Sequence, residues 1–396
     1  MLGIERKITD WIRRYYFIIF GIFAFIAGLK LRKMGLEFVS SDFQNYLQPW
    51  YDTMKANTGF KGLVLDFYTY YIPYMCLIAI ATYFESLDYM LYLKVISVMA
   101  ELVCACFGGI CAYRLLKDKK EGKLYAAIAF AIIWLSPTTI MNGAFWGQCD
   151  YIYTAFIFVS IWAMLREKYR LAFVFLGIAF AFKLQAIFIL PAYVIYYFCS
   201  RKFPITRFLY IPLCYLIGGL PAILEGKSIK DTYGIYVTQS HGFGQLSMNI
   251  PNIYRFLTDE GYNFFYSWGV AATMLIFCIL AGVVFYRDYR IDERIFLIMC
   301  AVSAGICCMF LPEMHERYSV LFIMLSYLYF IIYDRRKVIL AGILDGIATI
   351  TYCHCLYGLD LIKHYKVFAV INLLILFYMI VETIIECNKK KAGISA

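Results

Sequence analysis

The sequence has little charge: Asp, Glu, Lys and Arg make up only 16% of its 396 residues, against roughly 25% in soluble domains. That leaves too little polar surface to keep a chain of this length in water. Proline is scarce at 9 residues, and no Pro-, Gly- or Ser-rich stretch marks a linker between domains. Histidine numbers only 4, and the 14 cysteines include no CxxC pair, which removes the usual zinc and dithiol motifs. Cys104 and Cys106, like Cys307 and Cys308, lie inside apolar runs, where a thiol behaves as a small hydrophobe. The tightest cluster, Cys353, His354 and Cys355, points to different sides of a helix, so no metal site is expected there. No cleavable leader is expected. Residues 1–14 are polar and no small-residue cleavage site follows the first apolar run, which is expected to stay as an anchor.

What is abundant is apolar: 63% of residues are hydrophobic and the mean hydropathy is +0.69. A crossing takes roughly 20 apolar residues, and many such runs fit. The expectation is an all-α polytopic membrane bundle of about twelve helices, one integral-membrane domain over 1–396. The net charge of +10 sits in short connectors between apolar runs. They are Arg6, Lys7, Arg13 and Arg14; Lys117, Lys119, Lys120 and Lys123; Arg166, Lys168 and Arg170; Arg201, Lys202 and Arg207; Arg287, Arg290 and Arg294; Arg335, Arg336 and Lys337; Lys389, Lys390 and Lys391. This is the pattern of orientation in a membrane, not of nucleic-acid binding. The positive-inside rule puts all these groups, and both termini, in the cytoplasm of a multi-pass protein of the cell membrane. The connectors 37–89, 142–149, around 183, 224–262, 312–317 and 357–365 then face outward.

Two segments resist a plain count. The apolar stretch 72–84 is short and begins with Pro73, a favourable first-turn position, so it is expected to lie at the outer interface. The stretch 171–199 is too long for one span and is interrupted by Lys183, Leu184 and Gln185, so two short helices meeting in the outer leaflet are expected.

The outer connectors collect the polar residues: Asp42 and Asp52 in SSDFQNYLQPWYD, Asn142, Gln148 and Asp150 in MNGAFWGQCDYIYT, Lys183 and Gln185 in FAFKLQAIFILP, and His315, Glu316 and Arg317 in LPEMHERYS. QSHGFGQLSMNIPNIYRF adds the amides of Gln239, Asn249 and Asn252. Singly, each has a plain explanation. Asp42 would be a solvated loop residue, Asp150 a helix cap, Lys183 a snorkelling lysine, and Arg317 a partner of Glu313 or Glu316. Together they put acids and bases on one face of a membrane protein, where ionisable groups are costly and point to function. Arginine matches phosphate oxygens, and a nearby carboxylate takes a proton from a hydroxyl. Phosphate, hydroxyl and lipid together suggest a sugar moved from a polyprenyl-phosphate donor to a glycan acceptor. A nucleotide-sugar donor would call for a soluble cytoplasmic domain.

At these residues the sequence resembles the GT-C class of integral-membrane glycosyltransferases, especially bacterial relatives of the second mannosyltransferase of the GPI-anchor pathway. The carriers are SSDFQNYLQPWYD, YTYYIPYM, NGAFWGQCDYIYT, FKLQAIFILP, LSMNIPNIY and LPEMHERY, in the family's order. One departure is the single proline of YYIPYM, where members often have two. The resemblance implies a GT-C-like bundle with interfacial helices and two large outer loops, 37–89 and 224–262. It implies Asp42 as general base with Asp52 as substitute, and Arg317, His315 and Lys183 at the donor phosphate. Gln148, Asp150, Gln185, Asn249 and Asn252 would line the sugar or acceptor pocket. Transfer would invert the anomeric centre. No cofactor is expected; a divalent metal is conceivable, though no carboxylate-rich ligand set is evident. Two readings compete: a secondary transporter, which would place charges near the midplane of repeated halves, and a polymerase or ligase of lipid-linked glycans.

Overall fold

The computed structural model describes residues 3–239, 244–360 and 362–392 and is almost wholly helical. The first apolar run forms α1 (Gly3–Lys33), with Glu5 in its first turn and Lys30, Arg32 and Lys33 in its last. Each sign sits at the end of the helix dipole that favours it. The 37–89 loop holds a π-helical turn (Phe43–Leu47), α2 (Gln48–Ala56), a 3-10 turn (Gly59–Val64) and α3 (Ile72–Ala81). α3 carries Pro73 in its first turn and has 10 residues, a rise of about 15 Å, half of what a crossing needs. α4 (Tyr89–Leu116), capped by the Asp88 carboxylate on Leu91 N, is the first full-length return.

α5 (Gly122–Leu135) is bent by 49° from the run Pro137–Trp146, because Pro137 has no N–H to continue the ladder. That run comprises α6 (Pro137–Ile140) and a second π-helical turn (Met141–Trp146). α7 (Asp150–Leu165), α8 (Tyr169–Phe182), α9 (Leu190–Ser200) and α10 (Tyr210–Leu224) follow. The 224–262 loop contributes α11 (Ile229–Tyr233), α12 (Ile235–Gln239) and β1 (Ser247–Met248). Its residues 240–243 lie outside the described residues. α13 (Tyr262–Tyr286), α14 (Glu293–Phe310), β2 (Met314–His315), α15 (Val320–Tyr333), α16 (Val338–Tyr357) and α17 (Tyr365–Lys391) complete the chain.

Among the described residues 8 helices are long and apolar enough to cross a membrane, or 9 if the bent pair is one span. The expected count of about twelve is therefore not confirmed. The shortfall lies in α7, α8 and the run Leu184–Ser200, each shorter than 18 residues. The expected break at Lys183 is present. α8 ends there, Lys183 is extended (φ −155, ψ 136), and a 3-10 turn (Leu184–Ile189) leads into α9. α14 and α15 form the centre of the bundle, with apolar windows 83% and 94% buried; α1, α10 and α13 keep only 11%, 11% and 6% buried and form its apolar rim. A helix that is apolar all round belongs in such a core.

α4 carries the main buried polar stripe. Lys94, Ser97 and Glu101, spaced so that they share a face, are all buried. Glu101 pairs with Arg32 Nε at 2.7 Å. Arg32 also donates to the Trp134 and Gly28 carbonyls at 3.0 and 3.1 Å and covers the Trp134 ring at 3.5 Å. Lys94 Nζ donates to the carbonyls of Gly35, Leu36 and Phe38 at 2.8, 3.1 and 2.5 Å, anchoring the chain just before Asp42. Ser97 Oγ donates to the Gln148 carbonyl at 2.8 Å. Gly143 passes so close that an added Cβ would sit 2.2 Å from Glu101 Oε1.

Removing one partner of a buried ion pair strands the other charge. Arg32→Met is expected to lower stability by roughly 3–5 kcal/mol, and Arg32→Met with Glu101→Met by clearly less, read as denaturant or thermal unfolding in detergent. Equal losses in the two proteins would show that the pairing contributes nothing of its own.

Candidate active site

The helix ends on one side of the bundle bring the sequence's scattered polar residues together. Asp42 begins the first π-helical turn. Its Oδ2 accepts from Trp146 Nε1 at 3.0 Å and from Gln148 Nε2 at 2.5 Å, both delivered by the second π-helical turn and the left-handed Gly147 (φ 75) that ends it. Tyr70 OH donates to Gln148 Oε1 at 3.1 Å and so orients the amide. Asp150, the first residue of α7, holds Lys183 Nζ at 2.5 Å. Its other oxygen accepts from Asn142 Nδ2 at 3.3 Å and lies 3.6 Å from Arg317 Nε. Arg317 Nη1 bonds Glu316 Oε1 at 3.1 Å and lies 3.9 Å from Asp42 Oδ2. Asp42 and Arg317, distant in sequence, share one pocket.

The two aspartates differ in what they have free. Asp150 is completely buried, its charge met by two cations. The Asp42 side chain is 27% exposed, and its Oδ1 has no hydrogen-bond partner among the described residues. Arg317 also keeps something in reserve, because its buried Nε–H makes no hydrogen bond. Rings wall the pocket. Lys183 Nζ lies 5.1 Å from the Tyr318 ring and 5.6 Å from the Tyr70 ring; Arg317 lies 5.7 Å from Trp146 and 5.8 Å from Tyr318. Such walls exclude water and strengthen every charge interaction inside.

His315 lies on β2, where Met248 of β1 is its register partner and Asn249 bridges to it. Its ring packs edge-on against Tyr318 at 5.0 Å. Burial, then the nearby Arg317 and Lys183 cations, hold its pKa well below the ordinary histidine value, so it is a neutral imidazole at pH 7. Burial raises the Tyr70 phenol, which keeps its proton for Gln148.

Other expected residues have different surroundings. Asp52 is exposed on α2 and accepts from Gln48 Nε2 at 2.8 Å, apart from the cluster. Gln185 is buried in the 3-10 turn after Lys183, with Oε1 unpartnered. Asn249 takes left-handed backbone (φ 64) and donates to Cys355 Sγ at 3.6 Å. Asn252 is wholly occupied, accepting from Tyr254 N at 3.1 Å and donating to the Cys308 carbonyl at 3.4 Å. Gln239 bonds the Thr69 carbonyl and joins the two large loops. Glu313 fastens the second loop: its carboxylate accepts from Gly244 N at 3.3 Å and from Tyr262 OH, and its N–H donates to the Leu246 carbonyl at 2.9 Å. His354 bonds the Leu359 carbonyl. Among the described residues no three His, Cys, Asp or Glu side chains gather as metal ligands. Sequence reasoning passed over Trp146, Tyr70, Tyr318 and Lys94. The first three stand inside or beside the motifs, and a lysine within an apolar run is itself a signal.

A model of glycosyltransferase family 87 matches residues 68–312, more than half of the chain. The matched stretch contains Tyr70, Gln148, Asp150, Lys183 and Asn249; Asp42, His315 and Arg317 lie outside it. No curated protein matches the chain.

His315 makes stability pH-dependent. Its folded pKa is depressed, so the unfolded chain binds the extra proton, and stability rises with pH until the unfolded value of about 6.5 is passed. As pH falls below that, wild type is expected to lose up to about 1.4 kcal/mol per pH unit relative to His315→Gln. Parallel stability-versus-pH curves for the two proteins below about pH 6.5 would remove the assignment.

Proposed function

The chain belongs to glycosyltransferase family 87, and we propose that it moves a hexose from a polyprenyl-phosphate donor to a hydroxyl of a lipid-linked or cell-envelope glycan at the extracytoplasmic face, with inversion. The observation that carries this reading is a half-open carboxylate, Asp42, held 3.9 Å from the Arg317 guanidinium where helix ends meet. Trp146 and Gln148 occupy one oxygen of Asp42; the other faces no protein donor and takes the proton of the acceptor hydroxyl. That hydroxyl oxygen attacks the anomeric carbon from the face opposite the phosphate. The bond from the anomeric carbon to the phosphate oxygen breaks, and its electron pair leaves with the phosphate. Arg317, whose Nη1 lies 3.9 Å from Asp42 Oδ2, stabilises the charge that gathers there, and neutral His315 gives a second donor. The products are a new glycosidic bond and polyprenyl phosphate; the proton on Asp42 passes to water.

The remaining residues position these. Asp150 holds Lys183 and Arg317 on the two sides of its carboxylate. Gln148, Asp150, Gln185 and Asn249 border the space for sugar and acceptor. Asn252 contributes by capping the turn behind Asn249. Asp52, which is exposed and bonded to Gln48, is the less suitable base.

Purified protein incubated with polyprenyl-phosphate hexoses is expected to release polyprenyl phosphate. Asp42→Asn should lower turnover by roughly 10²–10⁴-fold with folding intact, and Asp52→Asn should stay near wild type; near-normal turnover in Asp42→Asn would remove the base. Arg317→Ala is expected to weaken donor use, and an unchanged donor dependence would take it out of the phosphate site.

A further inference from the structure

The cations of the pocket are already engaged by its acids. Lys183 lies 2.5 Å from Asp150, and Arg317 lies within 4 Å of three carboxylates, those of Glu316, Asp150 and Asp42, at 3.1, 3.6 and 3.9 Å. Lys183 and Arg317 thus already have three acids for partners. A phosphate entering that space would compete with those acids for the same two cations.

Arg255 has no such engagement among the described residues. It stands on the 3-10 turn Ile253–Phe256 of the second large loop. Its Nε donates to the Ile250 carbonyl at 3.1 Å and its plane lies 4.8 Å from the Tyr365 ring, so the head is held in place. Its Nη2 is buried and has no hydrogen-bond partner, and the Tyr365 hydroxyl, on a residue 1% exposed, is likewise unpartnered. Among the described residues no carboxylate comes within ion-pair distance of Arg255. A buried Nη2 without an acceptor is costly unless a ligand completes it. Ile250, whose carbonyl Arg255 holds, lines a small cavity with Glu316, and Asn249 beside it bridges to His315. Arg255 is thus linked through Ile250 to the cavity of Glu316, the residue that Arg317 bonds at 3.1 Å.

We infer that Arg255 is a second phosphate-binding cation of the donor site, which together with Arg317 takes the non-bridging oxygens of a single-chain alkyl phosphate. This rests on the reading of the pocket as a lipid-phosphate site. It also explains why the second large loop is tied to the 311–319 turn. β1 pairs with β2, Tyr254 OH donates to the Phe310 carbonyl at 2.7 Å and Asn372 Nδ2 to the Pro251 carbonyl at 3.0 Å. These contacts hold Arg255 against the end of α14 and beside α17.

The probe is dodecyl phosphate, titrated calorimetrically into the full chain in a neutral detergent. Arg255→Gln is expected to weaken binding by roughly tenfold or more, as the loss of one charge-assisted contact does. Arg255→Lys, which keeps the charge but not the fork, should fall between, and it decides the matter if the glutamine variant does not fold. Wild-type affinity in both variants would overturn the inference. A parallel titration uses phosphatidylglycerol in mixed micelles. If that lipid binds wild type as well as dodecyl phosphate and loses as much in Arg255→Gln, the residue is a general headgroup contact and the inference falls. Failure of the glycosyl-transfer reading would look different: no polyprenyl phosphate released by wild type, with dodecyl phosphate binding still dependent on Arg255.

Discussion

The site depends on one fully buried carboxylate. Asp150 lies where an isolated charge would be prohibitive, and it is tolerated because Lys183 approaches one oxygen and Arg317 the other. The same pairing explains two features of the chain. Lys183 interrupts what would have been one long helix, and the interruption persists because the ammonium has Asp150 to bind. Arg317 enters the bundle at the head of α15 because Asp150, Glu316 and Asp42 surround it. With those charges settled, Asp42 is left as the carboxylate with an open oxygen.

Backbone irregularity accompanies the chemistry. Both π-helical turns among the described residues, Phe43–Leu47 and Met141–Trp146, stand at the pocket, in keeping with the tendency of such turns to gather at functional sites. One displaces the chain after Asp42; the other, with Gly147, turns Trp146 and Gln148 toward that carboxylate. α4 stabilises both from behind. Lys94 closes the carbonyls before Asp42, Ser97 holds Gln148, and Glu101 sits against Gly143 while paired with Arg32. The apolar α14 and α15 fill the centre, so the polar layer rests on a packed core.

The charge of LPEMHERYS has several recipients. Glu313 ties down the second large loop, His315 joins the short β pairing, and Glu316 and Arg317 turn into the pocket. A segment that in sequence is a short connector is thus the meeting point of the loop, the helix ends and the reacting groups. Arg255, the phosphate contact proposed from that loop, is held in place by the same fastening.

The helical membrane class was legible in composition, because 63% apolar residues in long runs leave no other way to satisfy the backbone in lipid. The short α3 and the break at Lys183 were legible too, from a proline and a lysine placed where a plain span would not tolerate them. So was the grouping of Asp42, Gln148, Asp150, Lys183 and Arg317, since charge is costly in such a chain. The number of crossings was not, because α7, α8 and the run after Lys183 are shortened by turns whose geometry depends on contacts between helices. Nor were the ranks within the cluster. That Asp42 keeps an open oxygen while Asp150 is saturated, that Asp52 is exposed and Asn252 is a cap, and that Arg255 lacks an acid partner, all depend on which side chains lie within a few ångströms. The sequence determined which residues needed partners; only the tertiary packing, which sets distance and burial, decided which of them found one.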